Sequence, residues 1–511
     1  MSFTHVVRGV ALFIAGLTLA LALGAGRAEA RWLRAETRHF VLYSDGMESG
    51  LRRYAADLEA FDRLLRTAHG LDPDAPVARK LDIYVVDGRH ELARVFPDRG
   101  KYIAGVYRAN LGDIYAVAVR PQVGAPMGNR FLFHEYSHHF MLQHFPARYP
   151  AWVIEGYAEY FGVTRIEEDR IEVGLAAPDR VRRLVEAKWP IADVLGDKLA
   201  MNEPEERGRF YALSWLMTHY LLSDPARKAK FDDYLTRVGR GEDVVSALPA
   251  ALGVDLATFE QQLKDYLHAT PAIRYARDAR PDLSVAITTL SPSADALLLE
   301  GQRLKSGVKA EERADLLQLI RDRAARFPGD RLADLTLARA EITYGDRAAG
   351  EAILTRRIEA DSRDAEALWL MALSKIFAGQ ADRSRRAEFY AQARPYLGKA
   401  FAVDGERYQT LFDYAQARSL DADYPTENVM AVLLKAHSLA PQVAPIRVQA
   451  ARALMRRKRF PEAIALLTPL ANDPHDGPMS TMAERMIEMA RRGEAPAPTP
   501  DGESGADKTG G

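Results

Sequence analysis

His134-Glu135-Tyr136-Ser137-His138, followed by Trp152-Val153-Ile154-Glu155-Gly156-Tyr157-Ala158-Glu159, is the stretch on which the reading of this 511-residue chain turns. Successive residues of an α-helix rotate by about 100°, so positions four apart lie nearly above one another. His134 and His138 can therefore direct imidazole nitrogens at a single ion. Glu135, about 100° round from His134, can reach a bound water without serving as a ligand. An open tetrahedral metal site takes three protein ligands, and Glu155 is the candidate third. Residues 152–161 read as a second helix with no proline inside. Pro146 and Pro150 lie between the two segments, so the first helix should stop near His144 and the chain should turn back, bringing Glu155 over the histidines. Glu159, one turn further on, is placed to accept the free N–H of a ligating histidine.

The alternative is a solvated helix carrying two ordinary histidines. Phe131, Leu132, Phe133, Tyr136, Phe140, Met141 and Leu142 argue against it, because they surround the motif as in a buried helix. Buried imidazoles and carboxylates need partners. The two segments together resemble the gluzincin peptidases, especially the bacterial peptidase MA-like branch. That resemblance covers roughly residues 35–268 and implies an α+β zincin-type metallopeptidase domain. It also implies Zn2+ held by His134, His138 and Glu155, with Glu135 as catalytic base. Ile154 stands where aminopeptidases of this clan usually have Asn, and no Gly-x-Met-Glu-Asn segment is present. The resemblance therefore does not extend to exopeptidase activity.

Such a reaction needs a donor for the tetrahedral oxyanion, and Tyr211 and His219 are the candidates. Tyr211 is preferred because Tyr-x-x-Ser-Trp after the two motif helices recurs in similar proteins; the competing reading is a core tyrosine with a satisfied hydroxyl. His139 lies off the metal face and is expected to be packed or hydrogen-bonded. His144, near the helix C-terminus, is expected to act as a cap. Upstream, residues 80–86 and 114–119 have strand composition, the second after the turn signal Leu111-Gly112-Asp113. Residues 114–119 are the candidate edge strand for pairing with an extended substrate, against the alternative of an internal supporting strand.

Residues 1–30 read as a secretory signal, with Arg8, an apolar run over 10–23 and Ala28-Glu29-Ala30 before the cleavage point. No later apolar stretch has membrane length, so an exported product without an integral membrane segment is expected once the signal is removed. The absence of cysteine excludes disulfides and thiolate metal sites, and suits a bacterial periplasm. Lys and Arg number 69 against 70 Asp and Glu, which gives no electrostatic pull toward nucleic acid. Proline-containing breaks over 269–292 suggest a metallopeptidase domain over 31–284 and a second domain over 285–491; residues 492–511 are rich in Pro, Gly and charge and are expected to be disordered.

That second domain reads as helix after helix. Its clearest unit is Ala451-Arg452-Ala453-Leu454, then Phe460-Pro461-Glu462-Ala463-Ile464, Leu467 and Pro474. It resembles a tetratricopeptide repeat, with Ala451 and Ala463 at the close interhelix positions. Residues 335–361, 365–404 (with Trp369, Ala372 and Gly379) and 408–439 look like degenerate copies, enough for a small all-α solenoid. Arg456-Arg457-Lys458-Arg459 falls at an expected inter-helix turn. The functional expectation is an exported zinc metallopeptidase acting on a peptide or protein substrate, with a protein partner on the repeats. The rival is a non-enzymatic interaction protein working through its solenoid, and a retained Glu135 favours the enzyme.

Overall fold

The computed structural model describes residues 32–496 except 99–102, 122–127, 146, 148, 187–188, 200, 202, 269–272, 277–283 and 472–476. The signal-like residues 1–30, Pro146, Pro271, Pro281, Pro474 and residues 497–511 thus lie outside the described residues. Nine strands are described: β1 (Leu33–Glu36), β2 (Phe40–Ser44), β3 (Leu81–Val86), β4 (Gly105–Ala109), β5 (Ile114–Val119), β6 (Arg165–Ile166), β7 (Arg170–Val173), β8 (Ile273–Ala276) and β9 (Ala286–Thr289). A six-stranded sheet has the order β4-β5-β3-β2-β1-β9, and β6-β7-β8 form a small second one. The pairs β2–β3 and β3–β5 are parallel, while β1 and β4 run antiparallel to their neighbours.

The central strands are buried on both faces, which is why they are continuously apolar rather than alternating. Leu81, Ile83 and Val85 point into one core with Phe61 and Phe133; Tyr84 and Val86 point into another with Trp32, Leu92 and Leu299. The candidate edge strand needs correction here. β5 is internal, between β4 and β3, and the edge is β4. Its sequence, Gly-Val-Tyr-Arg-Ala, is half-exposed and mixed in polarity, as an edge tolerates, and so gives a weak strand signal. A second difference lies at the expected junction after residue 284. β9 pairs with β1 through Leu33–Thr289 to Glu36–Ala286, so the chain leaves the sheet only after it.

From Ser293 onward the described residues are helical, in consecutive packed neighbours such as Ala365–Ala381 with Arg386–Val403 and Ala444–Arg456 with Phe460–Ala471. Asp330, Asp346, Asp364 and Thr426 cap helices by accepting backbone N–H groups, each cap worth about 1 kcal/mol. Ala451 and Ala463 are fully buried at a helix crossing. The basic run does form a turn: the helix ends at Arg456, Lys458 has φ 59°, and Arg457 donates to the Pro425 carbonyl at 2.6 Å.

This helical half is not a separate body hung on a linker. Tyr408, Leu433, Leu439 and Ile446 belong to the same apolar core as Phe133, Tyr136 and Phe140 of the motif helix. The Tyr408 hydroxyl donates to the Asn110 carbonyl at 2.8 Å, and Gln442 donates to Gln143 at 2.8 Å. Removal of residues 285–511 would strip a strand and part of this core.

Candidate metal centre

The motif helix runs Arg130–His144 and the return helix Ala151–Gly162. The first is closed at Phe145, and Pro150 opens the second, as the proline spacing implies. Two glycines let them and their neighbour approach. A Cβ on Gly162 would lie 3.2 Å from His134 Cβ; one on Gly156 would lie 2.5 Å from the Ser214 carbonyl, on helix Pro204–Leu222, and collide with the Thr218 hydroxyl. The Glu-Gly pair thus joins a ligand to the only residue type that fits the crossing beside it.

His134, His138 and Glu155 are brought together. His134 Nε2 lies 3.2 Å from His138 Nε2, 3.6 Å separates His134 Nε2 from Glu155 Oε2, and 3.6 Å separates His138 Nε2 from Glu155 Oε1. Two ligands about 2.05 Å from a tetrahedral Zn2+ stand about 3.3 Å apart; the two imidazole nitrogens match that spacing, and the Glu155 carboxylate faces each of them with a different oxygen, slightly wider. The histidine side chains are 18% and 13% exposed and Glu155 is 1% exposed, giving a centre reached from one side. Burial, then the neighbouring His138, pushes His134 down to about 4, so at neutral pH it is in the uncharged form that ligates.

Glu159 Oε1 lies 3.4 Å from His134 Nδ1, opposite the ligating nitrogen. Two arginines that sequence reasoning missed hold this carboxylate: Arg180 donates to both oxygens at 2.7 and 2.9 Å, and Arg130 donates at 3.1 Å. Burial raises Glu159, yet the Arg180 hydrogen bonds and neighbouring cations keep it below the usual carboxylate range. Arg180 sits on a separate helix, Pro178–Glu186, with no local motif to mark it.

Glu135 is partly exposed on the motif helix. Burial first, then neighbouring charges that include Glu135, hold the Tyr107 hydroxyl well above its usual range. The Tyr211 ring stands edge-on to His134 with centroids 6.4 Å apart, and Arg180 covers it at 5.3 Å. His219 does not join the centre. It is fully buried between Tyr160 and Trp215, with Nδ1 2.8 Å from the Tyr266 hydroxyl. His139 is hydrogen-bonded to Tyr107 at 2.9 Å and stacked on Tyr136. His144 packs on Phe140, and burial followed by Arg66 lowers its pKa, so it does not serve as the cationic cap expected from its position.

No family model matches the chain and no curated protein matches it. Among solved structures, a thermophilic TPR protein of Thermus thermophilus is similar at 18% identity and a TM-score of 0.33, over 38% of this chain and 99% of that one. A likeness of that degree adds nothing to the reading of either half.

Proposed function

We propose that this chain is an exported zinc metallopeptidase of gluzincin type that hydrolyses peptide bonds in a peptide or protein substrate. The observation carrying this reading is the convergence of His134, His138 and Glu155 at the mutual spacing of three ligands on one tetrahedral ion, with a carboxylate, Glu135, next to them but outside the set. When bound, Zn2+ would supply Lewis acidity to the scissile carbonyl and acidify a water. Glu135 takes the proton of the attacking water and delivers it to the leaving amine. Tyr211, at the rim of the triad, donates its hydroxyl hydrogen to the developing oxyanion. Glu159, clamped by Arg180 and Arg130, fixes the orientation of the His134 ring.

The outer edge of β4 offers main-chain groups to an extended substrate, a mode that binds with little sequence preference. The helical half buttresses the motif helix through Gln442, and its outer surface is the place for a protein partner. No helix among the described residues is long and apolar enough to cross a membrane. Export and a periplasmic destination rest on the signal-like residues 1–30.

The test is metal analysis of the mature protein and of Glu135→Ala, both assayed on an unstructured protein such as casein. Near-stoichiometric zinc in both, with turnover lowered at least about 10³-fold in the variant, is the expected result. Zinc absent from both would overturn the reading.

A further inference from the structure

On the face of the sheet away from the metal centre, the strands and the helical half enclose a cavity of about 250 Å³. Every residue lining it but Gly112 has a polar or charged side chain. That is unusual where two halves of a chain meet, because buried polar groups cost free energy unless they find partners. Arg79, Lys305, Arg339 and Arg407 bring four cations to it, and Asp82, Asp113 and Glu366 bring three carboxylates.

The charges do not cancel locally. Asp113 is engaged twice, by Arg79 at 2.6 Å and Lys305 at 2.9 Å, and despite burial these cations hold it below its usual range. Asp82 stands 3.8 Å from Arg79; burial, and the charge of Asp113 beside it, push it up and disfavour its ionised form. Glu366 reaches Arg339 only at 3.7 Å. On the helical side, donors are left over. Arg339, 8% exposed, has an Nη2 that makes no hydrogen bond and meets Glu366 only at 3.7 Å, and Arg407 Nε meets Asp404 only at 3.6 Å; across the cavity, on the sheet side, Nε of Arg79 makes no hydrogen bond. Trp369 lies against both helical guanidinium groups, at 4.9 Å for Arg339 and 5.4 Å for Arg407, which keeps them rigid and apart from bulk water.

Guanidinium N–H groups that face a polar cavity with loosely held ion pairs and hydrogen bonds left to make are the recognition chemistry of an oxyanion. We infer that this cavity binds a small phosphate- or carboxylate-type anion between Arg339, Arg407 and Arg79. The volume lies just below the usual range of small-molecule sites, which suits a small anion. The occupant would fasten the helical half to the β4–β5 turn, where Gln409 already donates to the Gly112 carbonyl at 3.3 Å. β4 in turn touches the motif helix through Tyr107 and His139. The site is independent of whether the metal centre performs hydrolysis.

The experiment is calorimetric titration of the full mature chain with inorganic phosphate and, separately, with succinate, at ionic strength held constant with chloride. Saturable binding of at least one is expected, and which one binds distinguishes the phosphate from the carboxylate source. Arg407→Gln, a change at the cavity rim where the side chain is 20% exposed, should weaken that binding at least tenfold while leaving the unliganded melting temperature near wild type. Arg339→Gln should weaken binding as well, with a lower melting temperature because Glu366 loses its buried partner. His138→Ala should bind the anion as wild type does, which separates this site from anion capture by zinc. No saturable binding of either probe, binding unchanged in Arg407→Gln, or binding lost in a folded His138→Ala would overturn the assignment.

Discussion

Two clusters in this molecule each gather three histidine and carboxylate side chains and differ in what they can do. His134, His138 and Glu155 form one; His39, Glu59 and Asp62 form the other; in each, one donor atom per residue lies within 4.8 Å of the rest. In the second cluster His39 Nδ1 stands 3.3 Å from Asp62 Oδ2, and the other contacts are hydrogen bonds. His39 Nδ1 is 2.7 Å from Glu59, Arg66 donates to Asp62 at 2.6 Å, and the Tyr136 hydroxyl donates to Asp62 at 2.6 Å. An ion would have to displace these contacts. In the first cluster the separations are 3.2–3.6 Å, those of ligands around one centre. The protonation states also diverge. Burial works against the charge on His39, but Glu59 and Asp62 overcome it and raise its pKa, whereas His134 is pushed down to about 4. Spacing and charge state, rather than residue count, separate a metal centre from an ionic brace. The brace is structural in its own right, since through Tyr136 it pins the helix Glu48–Ala68 to the motif helix.

The sharpest way to break this contrast is to exchange the fates of the two clusters by mutation. His138→Ala should abolish stoichiometric zinc and reduce peptide hydrolysis to background, measured by metal analysis and casein turnover. His39→Gln should keep zinc but lose about 3 kcal/mol of stability, because it leaves Glu59 buried without its cation. Since the folded-state pKa of His39 is raised, its contribution is fully present below the unfolded value of 6.5 and fades as pH rises through the folded value. Urea midpoints of wild type and variant should therefore differ more at pH 6 than at pH 9. Zinc lost from His39→Gln, or retained by His138→Ala, would dissolve the distinction. A smaller effect is expected one contact further out. Arg180→Ala frees the Glu159 carboxylate and should weaken zinc affinity about 10- to 100-fold, read by competition with a chelating dye. An unchanged affinity would reduce Arg180 to a packing role.

How much of this was legible in the sequence follows from the range of the interactions. The positions of His134, Glu135 and His138 follow from helical rotation, and the prolines reported the turn that brings back Glu155. Strands over 80–86 and 114–119 carried their own β-branched composition and were found as β3 and β5. β4 and β9 were not, because an edge strand with one face to solvent, such as Gly-Val-Tyr-Arg-Ala, has no distinctive apolar pattern. The His39 cluster could not be read at all: His39 lies 20 residues before Glu59, outside the helix that carries Glu59 and Asp62, and Tyr136 reaches Asp62 across 74 residues. The same holds for Arg180. Tyr211 and His219 look equivalent in sequence, both on one helix; only the fold shows that one faces the triad and the other is sealed among aromatic rings.

Another buried carboxylate, in the helical half, sets a limit on the comparison. Asp413 is 5% exposed and accepts one indole N–H, from Trp369 at 2.7 Å, without the cation that Asp62 enjoys. Burial outweighs that hydrogen bond and pushes its pKa up to about 7. Between the unfolded value of 3.8 and about 7 the folded chain holds a proton the unfolded chain has released, so this group makes stability fall as pH rises through that interval. Asp413→Asn retains an acceptor for Trp369 and removes the charge. It should therefore stabilise the protein at pH 8, on the order of 1–2 kcal/mol, with the gain shrinking toward zero below pH 4. Urea denaturation of both proteins across that range measures the difference directly. A destabilised variant at pH 8 would mean that the Asp413 charge has a compensating partner, and that the helical half, like the His39 cluster, is braced by ions rather than burdened by one.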